Sequence, residues 1–215
     1  MIKTLACKPI RQACTGLEGM KSSRPLEPCD EEGISLLTRC IEKLSNLVGG
    51  CIPRHIVNVM VQLAKIMEQL GCSTYGTICV YCLLKLLLEA TIQYIYISSM
   101  KIEDPIIYVR KRSRNYASFS VTMIKRLRNV HGSKKKWILK TYLQVSKFVH
   151  PSDVVWTSTI YLDVKLVREV LDVILYVIAH AVRSGVLDKV CANLDFLKGL
   201  AKECELNESL KLLSR

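Results

Sequence analysis

The stretch 75-YGTICVYCLLKLLLEATIQYIYI-97 decides the fold class. It is long and apolar enough to serve either as a membrane span or as the central helix of a soluble bundle. Its strongly polar interruptions are Lys85, Glu89 and Gln93. Lys85 and Glu89 stand four apart and can pair on one helix face, but two ionised groups near a bilayer midplane would each cost about 2.5–3.5 kcal/mol. A buried central helix is the expectation, and no transmembrane segment. The run Val164–Val182 carries Lys165, Arg168, Glu169, Asp172 and His180 and reads the same way.

Outward from that helix the pattern stays helical. Toward the N-terminus, Ile34, Leu37, Ile41, Leu44 and Val48 recur at helical spacing until Gly49 and Gly50. Pro53 opens a second stripe, Ile56 to Leu70, stopped by Gly71, so the two helices should form an αα-hairpin. Ser73 or Thr74 then caps the apolar helix.

On the other side, Asp104-Pro105 starts an element expected to be helical through Arg128. Ser133 can cap a helix from Lys134 to His150, which Pro151 ends. Val154–Tyr161 is β-branched, but a lone strand has no partner. Helices resume over Asp163–Arg183, with Gly185 as terminator, then from Val186 to about Glu205 and from Asn207 to the end. Residues 1–30 mix Cys, Pro and Gly without a period and read as an irregular arm. Residues 31–215 then form one all-α domain, a bundle of six to eight helices, with a basic segment over 105–152.

At 215 residues the chain fits one core, and its 50% apolar content excludes a disordered or low-complexity chain. Lys3, Lys8 and Arg11 are followed by no sustained apolar core, so a secretory signal is not expected and the location expected is cytoplasmic. Ten cysteines in that setting favour reduced thiols. Intracellular proteins of hyperthermophilic archaea are the exception, and a chain rich in Ile, Val, Leu and Lys but poor in Asn and Gln suits a thermophile, so disulfides stay open.

The charge is lopsided. The net formal charge of +12 comes from 31 Lys and Arg against 19 Asp and Glu. Pro105–Ser152 contains no acid and twelve cations: Arg110, Lys111, Arg112, Arg114, Lys125, Arg126, Arg128, Lys134, Lys135, Lys136, Lys140 and Lys147. The rest of the chain is electrically balanced. A local excess of this kind is what a surface meeting a polyanion requires, and nucleic acid, RNA or DNA, is the partner it favours. Tyr108, Tyr116 and Trp137 interleave with the clusters and would stack on bases if exposed. Six to ten phosphate contacts would lower affinity by about 10³–10⁵ between 50 and 200 mM salt. A solvated basic face without a partner, an anionic membrane surface and an acidic protein are the competing readings. A homo-oligomer is compatible with all of them.

Enzyme machinery is sparse. There is no phosphate-cradling glycine loop, no catalytic carboxylate pair and no nucleophile elbow. Cys79 and Cys82 form a Cys-x2-Cys pair with Cys72 upstream, but inside the most apolar helix they read as core residues, so no metal or cofactor is expected. Of the four histidines, His180 reads as a satisfied core residue and His55 as a surface or capping residue, while His131 and His150 are placed at the C-terminal ends of basic helices, where carbonyls favour imidazolium.

Arg126 and His131 are the one pair with a chemical use, a proton-handling imidazole beside a cation that stabilises phosphorane charge. Their Arg-x4-His spacing resembles the Arg-x4-6-His signature of the HEPN superfamily, all-α bundles that include RNases of toxin and defence systems. The run 142-YLQVSKFVHPS-152 is similar to a Tyr-x3-Ser-x3-His-Pro pattern of uncharacterised helical proteins of that type, through Tyr142, Ser146, His150 and Pro151. The resemblance spans about Tyr75–Ser152 and implies an all-α fold and metal-independent RNA cleavage at Arg126 and His131. Two departures stand: Leu127 follows the arginine where that family usually has a polar residue, and no arginine precedes His150 by four to six residues. The leading expectation is a helical protein gripping the phosphate backbone, non-catalytic or weakly catalytic. An HEPN-like ribonuclease, and a coat or small helical subunit of a nucleoprotein assembly, are the alternatives.

Overall fold

A computed structural model describes residues 30–70, 73–100, 116–149, 161–188 and 192–214. The arm expected over 1–30 (but for Asp30), the cluster Arg110, Lys111, Arg112 and Arg114, the start of the helix expected from Pro105, His150 and the β-branched stretch up to Tyr161 lie outside them. Among the described residues the secondary structure is all helical: α1 (Glu31–Val48), α2 (Arg54–Leu70), α3 (Thr74–Ser99), α4 (Tyr116–Arg126), α5 (Gly132–Val149), α6 (Val164–Arg183), α7 (Leu194–Glu203) and α8 (Asn207–Leu213).

Local chemistry sets most of these ends. Asp30 caps α1 by accepting the Gly33 amide at 2.9 Å, with Glu31 and Glu32 on the positive end of the helix dipole. Ser73 does the same for α3 through the Gly76 amide at 2.9 Å. At Gly76 a Cβ would collide with the Leu70 carbonyl, so the tight α2–α3 connection needs a glycine there. α6 ends in a Schellman motif: Gly185 takes φ 71, its amide donates to Val182, and Val186 donates to Ala181 at 2.9 Å. α7 ends in the same way with Glu205 in the left-handed position at φ 56.

The helix expected over Val186–Glu205 is shorter than its apolar pattern. Residues 186–188 after the Schellman turn are not helical, and α7, the next described helix, starts where Asn193 accepts the Asp195 amide at 2.8 Å.

The long helix α3 packs against α2, α4, α5 and α6, burying Tyr81, Leu84, Leu87, Leu88 and Ile92 completely. It is the one described helix long and apolar enough to cross a membrane by length and composition, and that buried face is a load of core packing. α3 also leaves Tyr75, Cys82 and Leu86 exposed, so the most enclosed element is α6 instead, buried from Val170 through Ala179 and touching α1, α3, α5, α7 and α8. Lys85 and Glu89 pair on α3 at 3.9 Å, as their spacing predicts.

A disulfide joins Cys40 of α1 to Cys204 at the end of α7, and the exposed Lys43–Glu203 ion pair at 2.6 Å lies next to it. Cys51, Cys79 and Cys82 form no disulfide among the described residues. Asp172, buried in α6, docks α8: its carboxylate accepts from the Glu208 amide at 2.9 Å, the Ser209 amide at 2.8 Å and the Ser209 hydroxyl at 2.6 Å. The N-cap of α8, Leu206, has no capping side chain of its own, so a carboxylate from another helix supplies the acceptors.

Candidate nucleic-acid interface

α4 and α5 carry the described part of the acid-free stretch, and the five residues between them bring their basic ends together. α4 stops because Leu127 turns inward, 3% exposed, and Asn129 enters the left-handed region at φ 59, which asparagine tolerates better than most side chains. His180 of α6 pins that turn, its Nε2 donating to the Asn129 carbonyl at 3.1 Å. His180 is therefore a satisfied packing histidine, as its apolar setting predicts.

Across the turn, Lys135 Nζ donates to the Lys125 carbonyl at 3.2 Å, where the last carbonyls of α4 attract a cation. The cations Lys125, Arg126 and Arg128 and the lysines Lys135 and Lys136 consequently share one patch. Lys125, Arg126, Arg128, Lys136 and Lys140 are exposed, and none of the five is in an ion pair among the described residues. Lys136, Lys140 and Lys147 follow one another at four and seven residues along the outer face of α5, a stripe about 16 Å long at 1.5 Å per residue.

The inner face of α5 is committed to packing. Lys134 forms an ion pair with Glu208 of α8 and lies over the rings of Trp137 and Tyr176, at 5.6 and 5.9 Å. Trp137 stacks edge-on against Tyr176 at 5.7 Å and donates its indole N–H to Glu169 at 3.1 Å. Glu169 also accepts from Thr141 at 2.8 Å. Lys134 and Trp137 thus join α5 to α6 and α8, a use opposite to the free cation and stacking ring expected from sequence. Nothing in their spacing signals this. The only hint is that Glu169 and Asp172 interrupt an otherwise apolar run and so must find partners.

Arg126 ends α4 and His131 immediately precedes α5, both exposed. The expectation that His131 closes a basic helix is corrected: it sits at a helix N-terminus, and its Nδ1 accepts the Ser133 amide at 3.3 Å and contacts the Ser133 hydroxyl at 2.9 Å. The cap expected of Ser133 is supplied by the histidine instead, because α5 begins two residues earlier than its apolar pattern.

Tyr142 and Ser146 form a joint between helices. The buried Tyr142 hydroxyl donates to Glu89 of α3 at 2.7 Å, and burial followed by that carboxylate pushes its pKa up to about 12. Ser146 returns its hydroxyl to the Tyr142 carbonyl at 2.8 Å. Among the described residues no group of three or more His, Cys, Asp or Glu side chains is arranged to hold a metal ion.

No protein-family model matches this chain, and neither the curated proteins nor the solved structures include a match to it.

Proposed function

We propose that the chain binds the phosphate backbone of nucleic acid through the patch at the α4–α5 turn and the outer face of α5. The observation that carries this reading is the Lys135–Lys125 bond, which merges two cation clusters that are separate in sequence into one exposed surface with five cations outside any ion pair among the described residues. In this reading the cations contact phosphates, so the grip follows charge and shape.

Five phosphate contacts correspond to a slope of about −4.5 in log affinity against log salt on duplex DNA, or a loss of roughly 500-fold between 50 and 200 mM. Binding to duplex and single-stranded probes by fluorescence anisotropy across that range tests the reading. Lys136→Gln/Lys140→Gln should flatten the slope by about 1.8. A weak response that salt does not alter removes the proposal.

A second reading, an HEPN-like ribonuclease, is favoured by one observation: Arg126 and His131 flank the same short turn and both are exposed. It requires that metal-free RNA cleavage disappear in both Arg126→Ala and His131→Ala. Cleavage that survives either change dismisses it.

A further inference from the structure

A groove of about 470 Å³ lies between α1 and the C-terminal end of α2, away in sequence from every cation of the basic patch. Its α1 wall is the stripe Glu31, Ser35, Thr38 and Glu42, spaced by four, three and four residues and so on one helix face. At 1.5 Å per residue the two carboxylates stand about 16 Å apart along the axis, with two hydroxyls between them. Glu68 joins from α2, and the buried Ile34 and Met67 add apolar surface. Arg39 is the single cation in the lining. None of the three glutamates is in an ion pair among the described residues, which is unusual company for acids in a chain of net charge +12.

Thr38 is the independent sign. It lines the groove, is only 6% exposed, and its hydroxyl has no hydrogen-bond partner. A helical threonine ordinarily returns its hydroxyl to the carbonyl four residues back, as Thr141 does to Trp137 at 3.2 Å. A buried hydroxyl left without a bond is costly unless something supplies one. The carboxylates are too dispersed to hold a metal ion. The spacing suits a long cation whose charges are separated by alkyl spacers.

We propose that this groove binds a linear aliphatic polyamine. Terminal ammonium groups sit on Glu31 and Glu42, an inner ammonium group meets Glu68 and the Thr38 hydroxyl, and the methylenes lie on Ile34 and Met67. Charge-assisted bonds of this kind are each worth about a tenfold change in affinity.

Isothermal titration of the nucleic-acid-free full chain with spermine, with and without excess magnesium, tests it. The expected result is one saturable site that Glu42→Gln/Glu68→Gln weakens by about 100-fold and Thr38→Val by about tenfold. Thr38→Val removes an unpartnered buried hydroxyl at nearly constant volume, so it should fold at least as stably as the parent, separating a binding loss from a folding loss. Spermine binding that neither variant alters, or that magnesium abolishes as a general counterion would, overturns the proposal. Tighter binding of a tetralysine peptide than of spermine also overturns it, because the groove would then be a polypeptide site.

Discussion

Replacing Asp172 should detach α8. In the native chain its carboxylate accepts three donors, the Glu208 amide, the Ser209 amide and the Ser209 hydroxyl, at 2.9, 2.8 and 2.6 Å. Hydrogen bonds to an ionised group are worth about 1.5–3 kcal/mol each, while taking the carboxylate out of water opposes them. Burial wins part of that contest, since it raises the Asp172 pKa above the usual carboxylate value despite the Ser209 bonds that lower it. Asp172→Ala, which orphans one buried and one half-buried amide, should therefore destabilise by about 3 kcal/mol net. Asp172→Asn keeps one acceptor but turns an NH₂ toward a donor, for about 1–2 kcal/mol. Urea unfolding gives the total, and amide exchange at Ser209 gives the local share, which should rise well before the α6 amides respond. The pH dependence has a defined sign: a carboxyl with a raised folded pKa contributes stability that is complete below its unfolded pKa and is lost as pH rises through the folded one, and Asp172→Asn should abolish that component. An Asp172→Ala variant within 0.5 kcal/mol of the parent, with Ser209 still protected, would refute the claim that this carboxylate is the cap of α8.

Three further outcomes follow from single features. Glu205→Gly should stabilise by about 0.5–1 kcal/mol in urea unfolding, because glycine occupies the left-handed position at φ 56 without a Cβ clash, and the lost exposed Arg168 pair at 2.8 Å offsets little of it. Tyr81 and Tyr142 both have pKa values pushed up to about 12, Tyr81 chiefly by burial, so absorbance at 295 nm should show two of the nine tyrosines ionising about two pH units late. Raised phenol pKa values contribute stability that is complete below about pH 10 and falls as pH climbs toward 12, and Tyr142→Phe should remove one late transition. Cys40→Ala/Cys204→Ala opens a closure spanning 164 residues and should cost about 2–4 kcal/mol, read as a lower urea midpoint than the parent's under non-reducing conditions.

How much of this was legible beforehand depends on whether the deciding interaction is local. Period, caps and stop residues are local, and Asp30, Ser73 and Gly185 lie where the pattern of apolar residues predicts helix ends. The same pattern misses the exit from α6, since the apolar spacing after Val186 is helical but the chain leaves α6 through a left-handed glycine, residues 186–188 are not helical, and Asn193 caps the start of α7.

For the candidate site, sequence alone places the cations in one segment but not on one face. Lys134 and Lys136 are two residues apart, yet one is held by Glu208, 74 positions away, and the other is exposed outside any ion pair among the described residues. Which lysine does which is fixed by where Glu169, Glu208 and Tyr176 stand in the packed bundle, and that is information carried by α6 and α8 rather than by α5. Trp137 makes the point most sharply: between basic residues it reads as a stacking ring, but an indole N–H needs an acceptor when half-buried, and Glu169 is an acid in an apolar helix that needs a donor. Two unmet polar requirements on separate helices predict each other once both are noticed. The patch that remains for a polyanion is what is left over after those internal demands are satisfied.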